Sequence, residues 1–251
     1  MPAHESEAIV LRGFPLGEGD LLVSFFSRTH GRLRGVAARA RRPKSRFAAT
    51  LEPLSYIRIW FYERETRELV RINQCELIES FLDVQSDYGA ALALALISEV
   101  TEATLAEREA ADANFRLVLL AARALKARAR TQLVLAYFAL WTVKLGGWLP
   151  QLDRCGRCGA ALSETTYWSP AQGLICGRCR ISGQRAISQQ ALQVARRIAS
   201  EKIERLSTEW PGTNASLENE VKDFMLDIVE HHIEKPLKSR KMFDTRPERH
   251  A

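Results

Sequence analysis

The sequence predicts an α+β protein in two parts, a small β-barrel followed by an α-helical domain that carries a four-cysteine module. Three observations lead there. Five short strand-like runs fill the first eighty residues, the chain turns alanine- and leucine-rich from Asp87, and four of the five cysteines fall into two C-x-x-C pairs.

The strand-like runs are SEAIVLRGF, DLLVSFFSR, RLRGVAARA, LSYIRIWFY and ELVRINQCEL, each rich in apolar or β-branched residues. Gly17, Gly19 and Gly31 suit the tight turns between the first three. In the fourth run Ile57, Ile59 and Phe61 alternate onto one face, as a half-buried strand requires. Five strands in so short a stretch would leave unpaired edges in an open sheet. Closure into a barrel removes them, and the five-stranded oligonucleotide-binding barrel (OB-fold) is one form of that solution.

Beyond Ser80 the run GAALALALISEVTEATL has high helix propensity. A second helix is expected over about Asn114 to Arg128, and a third from a cap at Thr131 to Gly146-Gly147, with Pro150 preventing its return. Two more follow Ser188 and Ser216, with a turn at Pro211-Gly212 between them. The predicted domains are residues 1–80 and residues 81–251, the latter with a cysteine insert at about 153–182.

In that insert Cys155 and Cys158 form one knuckle and Cys176 and Cys179 the other, seventeen residues apart. Two C-x-x-C turns supply four sulfur ligands, the closed tetrahedral set of a structural zinc ion, one per chain. Four thiolates leave no position for a reacting water, so a catalytic role for the metal is not expected. Arg154, Arg157, Arg178, Arg180 and Arg185 surround the knuckles and either offset thiolate charge or extend a basic surface. Cys75 stands apart in a strand pattern and reads as a small buried apolar residue.

The net charge of +6 says little by itself, but its distribution is uneven. RTHGRLRGVAARARRPKSRF, residues 28–47, holds seven arginines, a lysine and a histidine with no acidic residue. Arg32 and Arg34 alternate in a strand-like stretch, while Arg39, Arg41, Arg42, Lys44 and Arg46 lie in or beside a loop at Pro43. Cations this dense repel one another unless an anionic partner relieves them, and nucleic-acid phosphate is the partner favoured here. Phe47, Tyr56, Trp60, Phe61 and Tyr62 are candidate stacking platforms, several of which the barrel core must claim. The alternative is a zinc-stabilised protein-interaction module whose basic run is a solvated or protein-binding face.

Catalysis finds no support: there is no Gly-rich phosphate loop with its lysine, no G-x-S-x-G and no H-E-x-x-H. His231 and His232 read as solvent-facing, and His4, His30 and His250 lack partners at useful spacing. Glu18 and Asp20, beside Gly17 and Gly19, read as turn residues. MPAHESEAIV has no secretory or transit character, and the longest uncharged apolar run, Thr131 to Val143, is too short to cross a bilayer. A soluble, cytoplasmic protein is expected.

AIVLRGFPLGEGDLLVSFFSRTHGRLRGVAARARRPKSRF, LEPLSYIRIWFY, ELIESF, LGGWLPQLDRCGRCGA and KPLKSRKMF together resemble the bacterial RecO family of recombination mediators. The resemblance implies an OB-fold barrel, a helical domain and a zinc module held by the four cysteines. It also implies binding of single- and double-stranded DNA, annealing of complementary strands and, with RecR, loading of RecA onto strands coated by single-stranded-DNA-binding protein (SSB). Nucleoid association during repair follows from that role. The acidic, apolar SSB tail would bind the helical domain, with Arg240 and Lys241 of the C-terminal basic cluster as candidates.

Overall fold

Five long strands form, β1 (Ala3–Leu16), β2 (Asp20–Ser27), β3 (Gly31–Ala37), β4 (Tyr56–Tyr62) and β5 (Val70–Glu79); β3 alternates buried and open positions, whereas β1 and β2 each have a stretch buried on both faces. The computed structural model describes residues 3–47, 49–63, 68–209 and 214–244; the predicted turn at Pro211-Gly212 lies outside them. The helices among the described residues are α1 (Tyr88–Thr104), α2 (Asp112–Lys126), α3 (Thr131–Leu145), α4 (Gln189–Ser200), α5 (Ile203–Glu209), α6 (Ala215–Ile233) and α7 (Lys238–Asp244). Three short strands, β6 (Thr166–Ser169), β7 (Gly173–Ile175) and β8 (Ala186–Ile187), lie between α3 and α4.

The long strands are hydrogen-bonded in the closed order β1-β2-β3-β5-β4. Four of the five seams are antiparallel, and the last, β3 with β5, is parallel. That parallel ladder joins only Gly35 to Val70, Val36 to Arg71 and Ala37 to Ile72. Close approach at Gly35 permits it, since a Cβ there would lie 2.8 Å from Val70 Cγ2 and 3.1 Å from the Val70 carbonyl oxygen. Inside the ring Val10, Val23, Phe25, Ile57, Ile59, Phe61, Val70 and Ile72 form one buried cluster, and each such side chain contributes about 1.5–3 kcal/mol of burial. Cys75 lies in the same cluster, where burial pushes its thiol up to about 12, so it is an inert core residue.

The chain divides into two compact units, Met1–Lys126 with Leu237–Ala251, and Ala127–Pro236. In the first, α1 is capped by Asp87, whose side chain accepts from the Ala90 amide. α7 is fixed to α1 by Glu99, whose carboxylate accepts from the amides of Lys238 (3.0 Å) and Ser239 (2.7 Å). In the second unit α3 is buried over most of its length and packs on α6. Two helix starts differ from expectation: the N-cap of α3 is Arg130 rather than Thr131, and that of α6 is Asn214, whose side chain accepts from the Leu217 amide.

The expected fold class, a five-stranded OB-fold barrel followed by an α-helical domain, is corrected on two points. The ring closes along one seam of only three residue pairs, and β5 beyond Ile72 pairs with β4 alone. The second half is not helical throughout, because β6, β7 and β8 form an antiparallel sheet of their own in the order β7-β6-β8. Strands of two to four residues are too short to show an alternating pattern, which is why the sequence does not announce them.

Candidate nucleic-acid interface and metal centre

The arginine run folds into two different environments. Arg32 and Arg34 project outward from β3, where the segment after α1 lies alongside: Arg32 bridges Glu107 in parallel, and the Arg108 amide donates to the Arg32 carbonyl at 3.0 Å. Glu107 then faces both cations, 3.1 Å from Arg32 and 3.4 Å from Arg34. Arg32 also donates to the Leu105 carbonyl, and its side chain is only 17% exposed. It fastens this segment to the sheet.

Past β3 the chain forms a loop in which Arg39, Arg41, Arg42, Lys44 and Arg46 are all exposed. Backbone amides make most of its fixing bonds. Asp20 accepts from the Arg39 amide at 2.8 Å, and the Arg41 amide donates to the Gly19 carbonyl at 3.0 Å. Arg39 and Lys44 adopt left-handed backbone conformations, with φ of 59° and 61°; for residues other than glycine these are tolerated only where surrounding structure fixes them. Asp20 therefore has the turn duty expected of it. Arg41 reaches the Gly17 carbonyl, and the Arg46 guanidinium lies 5.0 Å from the centre of the buried Phe47 ring. All five basic residues stay exposed on a pinned loop, although Arg41 and Arg46 also touch protein groups.

Of the proposed stacking residues, Phe47, Tyr56 and Phe61 are buried, whereas Trp60 and Tyr62 are half-buried on the outer face of β4. Spacing did not reveal that His4 and His30 meet, their Nδ1 and Nε2 atoms 3.2 Å apart above Phe61. Burial, then the neighbouring His4, lowers the His30 pKa. His231 and His232 pack against Trp168 and Trp148, respectively. Arg240 and Lys241 sit on α7, in the unit that contains the strand ring; Arg246 and Arg249 of the same basic cluster, and His250, lie outside the described residues.

The four cysteines converge as their spacing predicts. Their sulfurs all lie within 4.8 Å of one another, and the Cys158 and Cys176 sulfurs are 3.8 Å apart. A tetrahedral ion with metal–sulfur bonds of about 2.3 Å has sulfur–sulfur edges of about 3.8 Å. The first knuckle closes through the Cys155 amide to the Ala160 carbonyl and the Gly159 amide to the Cys155 carbonyl. At Gly156 a Cβ would lie 1.7 Å from the Gln172 carbonyl oxygen, so only glycine lets the two halves meet. Burial pushes the Cys155 thiol up, but the amides of Cys176, Cys158 and Arg157 outweigh it and bring the pKa down to about 6. Cys179, hydrogen-bonded by Cys158, is pushed up to about 12. Crowded thiols ionise one at the expense of another, and a divalent cation among them removes that conflict. The donor set and its closeness fit a structural metal ion held by Cys155, Cys158, Cys176 and Cys179.

One unit displays a pinned cationic loop on its strand ring, and the other holds four sulfurs close enough to share a structural metal ion. Residues 1–81 match the family described as "Recombination protein O N terminal", and residues 85–241 match "Recombination protein O C terminal". The chain is 35% identical over 242 residues to the DNA repair protein RecO of Koribacter versatilis, covering 96% of this chain and 98% of that protein. It is 31% identical to the DNA repair proteins RecO of Bifidobacterium adolescentis and Bifidobacterium longum subsp. infantis, covering 97% and 98% of this chain and all of each relative. The chain belongs to the RecO family, whose role is that of a non-catalytic recombination mediator in DNA repair. Among the described residues no helix is long and apolar enough to cross a membrane.

Proposed function

We propose that the protein binds single- and double-stranded DNA through the loop bearing Arg39, Arg41, Arg42, Lys44 and Arg46, anneals complementary strands and, with RecR, helps load RecA onto SSB-coated single strands. The observation that carries this reading is the loop itself, five exposed cations on a backbone pinned by Asp20 and Gly19. Arginine and lysine hold phosphate without reading bases, so one surface retains strands of any sequence. Screening the repulsion between two retained strands promotes pairing, and base complementarity supplies the specificity. Nothing in that sequence of events needs nucleotide hydrolysis.

Arg32 and Arg34 belong to the proposed surface in a lesser role, because a phosphate there competes with Glu107. One zinc ion on Cys155, Cys158, Cys176 and Cys179 would supply folding energy to its module and no chemistry to a substrate. The acidic SSB tail would engage Arg240 and Lys241 beside Met242 and Phe243. The protein would act in the cytoplasm, associated with the nucleoid during repair.

The test is a binding series with unmodified single strands of unrelated sequence across salt concentration, followed by annealing of complementary strands without nucleotide. If all five loop cations contact phosphate, log K falls against log salt with a slope of about −3.5. A slope near zero, or no acceleration of annealing, contradicts the reading.

A further inference from the structure

The four cysteines of the module are not equally open. Cys155 is buried, Cys176 and Cys179 are half-buried, and Cys158 is exposed. The Cys158 sulfur lies 3.8 Å from the Cys176 sulfur on the opposite knuckle. The Cys155 sulfur, by contrast, already accepts from the Cys176 amide at 3.4 Å. Arg157, next to Cys158 in the chain, donates to the Cys179 carbonyl at 3.4 Å and keeps a positive charge beside the cluster. The fifth cysteine, Cys75, is sealed in the strand ring of the other unit.

Thiolate is the nucleophilic form of cysteine, and oxidation follows thiolate character and access. An exposed sulfur with a second sulfur in reach is the arrangement of an attacking and a resolving cysteine. With hydrogen peroxide as oxidant, the Cys158 thiolate takes one peroxide oxygen, the O–O bond breaks and hydroxide leaves. The Cys176 thiolate then attacks the Cys158 sulfur, an S–S bond forms, and the S–O bond breaks to release a second hydroxide. Two thiolates have lost two electrons and one peroxide has gained them. Drawing the two sulfurs from 3.8 Å to a bond of about 2.05 Å removes half of the ligand set. Cys155 and Cys179 remain, too few for the closed four-sulfur site of a structural ion.

We propose that the cysteine module is a redox switch, in which hydrogen peroxide joins Cys158 to Cys176 and expels the structural metal ion. The inference rests on the proposed zinc ion and adds a condition under which the module lets it go. A dithiol reductant reopens the disulfide and restores the four ligands. The cationic loop after β3 belongs to the other unit, so the switch acts on the module and not on the loop.

The test adds hydrogen peroxide to the zinc-loaded full chain and follows released zinc with a colour-forming chelator, while peptide mass mapping locates the crosslink. Wild type is compared with Cys158→His and Cys179→His, since three sulfurs and one imidazole are also a closed structural set. Wild type should release its zinc with a Cys158–Cys176 crosslink while Cys75 is still a free thiol, and a dithiol with added zinc should reload it. Cys158→His should release zinc at least about tenfold more slowly, because the most accessible thiolate is gone. Cys179→His should release it at about the wild-type rate. Reduced wild type that carries no zinc overturns the metal reading and the switch together. Zinc that stays bound until Cys75 is oxidised, a crosslink within one knuckle, or equal rates in the two variants overturns the switch and leaves the metal reading intact. If either variant fails to hold zinc, the crosslink and the Cys75 comparison in wild type decide the matter.

Discussion

Two regions of this molecule are rich in arginine, and they use it in opposite ways. In the cysteine module Arg154 and Arg157 donate to carbonyls within the module, Arg180 bonds to the Tyr167 hydroxyl at 2.8 Å and lies over its ring, and Arg185 pairs with Asp227. In the loop after β3 backbone amides make most of the fixing bonds; Arg41 reaches the Gly17 carbonyl and Arg46 lies by the Phe47 ring, yet all five basic residues stay exposed. A module with little core uses its side chains to hold itself together, whereas a loop seated on a packed strand ring is free to display them. Counting charges along the chain cannot separate these uses; following each guanidinium to its partner does.

The largest effect should come from breaking the sulfur cluster. Cys155→Ser, or a strong chelator, should unfold the module, because structural zinc contributes on the order of 10 kcal/mol in comparable small sites. Metal analysis should find about one zinc per wild-type chain, and hydrogen exchange should show protection lost over β6–β8 but kept in β1–β5. Single-strand affinity should change by less than about twofold if the module's arginines serve only the module, since surface changes elsewhere are nearly silent. A parallel collapse of DNA binding would erase the contrast between the two regions.

Next in size is the C-terminal helix. Exchanging Arg240 and Lys241 for Glu places like charge against an acidic SSB tail and should weaken the peptide complex by about tenfold or more, while oligonucleotide affinity falls less. Titration of a labelled tail peptide reads it. Peptide binding that survives this exchange but is lost with the loop arginines would move the tail site onto the loop.

The smallest effect is a pH dependence at the start of α7. Burial raises the Glu99 pKa, but the Ser239 and Lys238 bonds and the Arg12 charge outweigh it, so the folded value lies below the ordinary 4.5. A depressed carboxylate contributes stability that is present above the unfolded value and is lost as pH falls through the folded one. The amides of Lys238 and Ser239 should therefore keep their exchange protection above about pH 4.5 and lose it under stronger acid. Glu99→Gln should remove that pH dependence; an unchanged acid profile in this variant would assign it to another group.

How much of this was legible in the sequence depends on range. β3 and β4 alternate cleanly between buried and open positions, and two C-x-x-C turns place four sulfurs with little freedom. Ser188 caps α4 as its position suggests. Long-range partners were not visible. Glu107 meets Arg32 and Arg34 only because the segment after α1 lies against β3, and Glu99 finds α7 some 140 residues away. Phe14 reads as an ordinary strand apolar until register puts it in a row with Leu22 and Val36. Local pattern fixes which side a residue faces, but tertiary pairing decides what it faces there.

On the proposed reading the pinned loop, and not arginine in general, holds phosphate. The measurement closest to it compares salt-dependent single-strand binding of two variants, one with Arg39, Arg41 and Arg42 replaced by Ala and one with Arg32 and Arg34 replaced by Gln. The loop variant should lose affinity by similar factors for unrelated sequences, and its salt slope should shrink by about 2. The strand variant should keep most of its slope, because Arg32 is only 17% exposed and Glu107 already offsets part of the charge of the pair. A folded loop variant with wild-type affinity and slope, or a strand variant that loses more than the loop variant, would contradict the account.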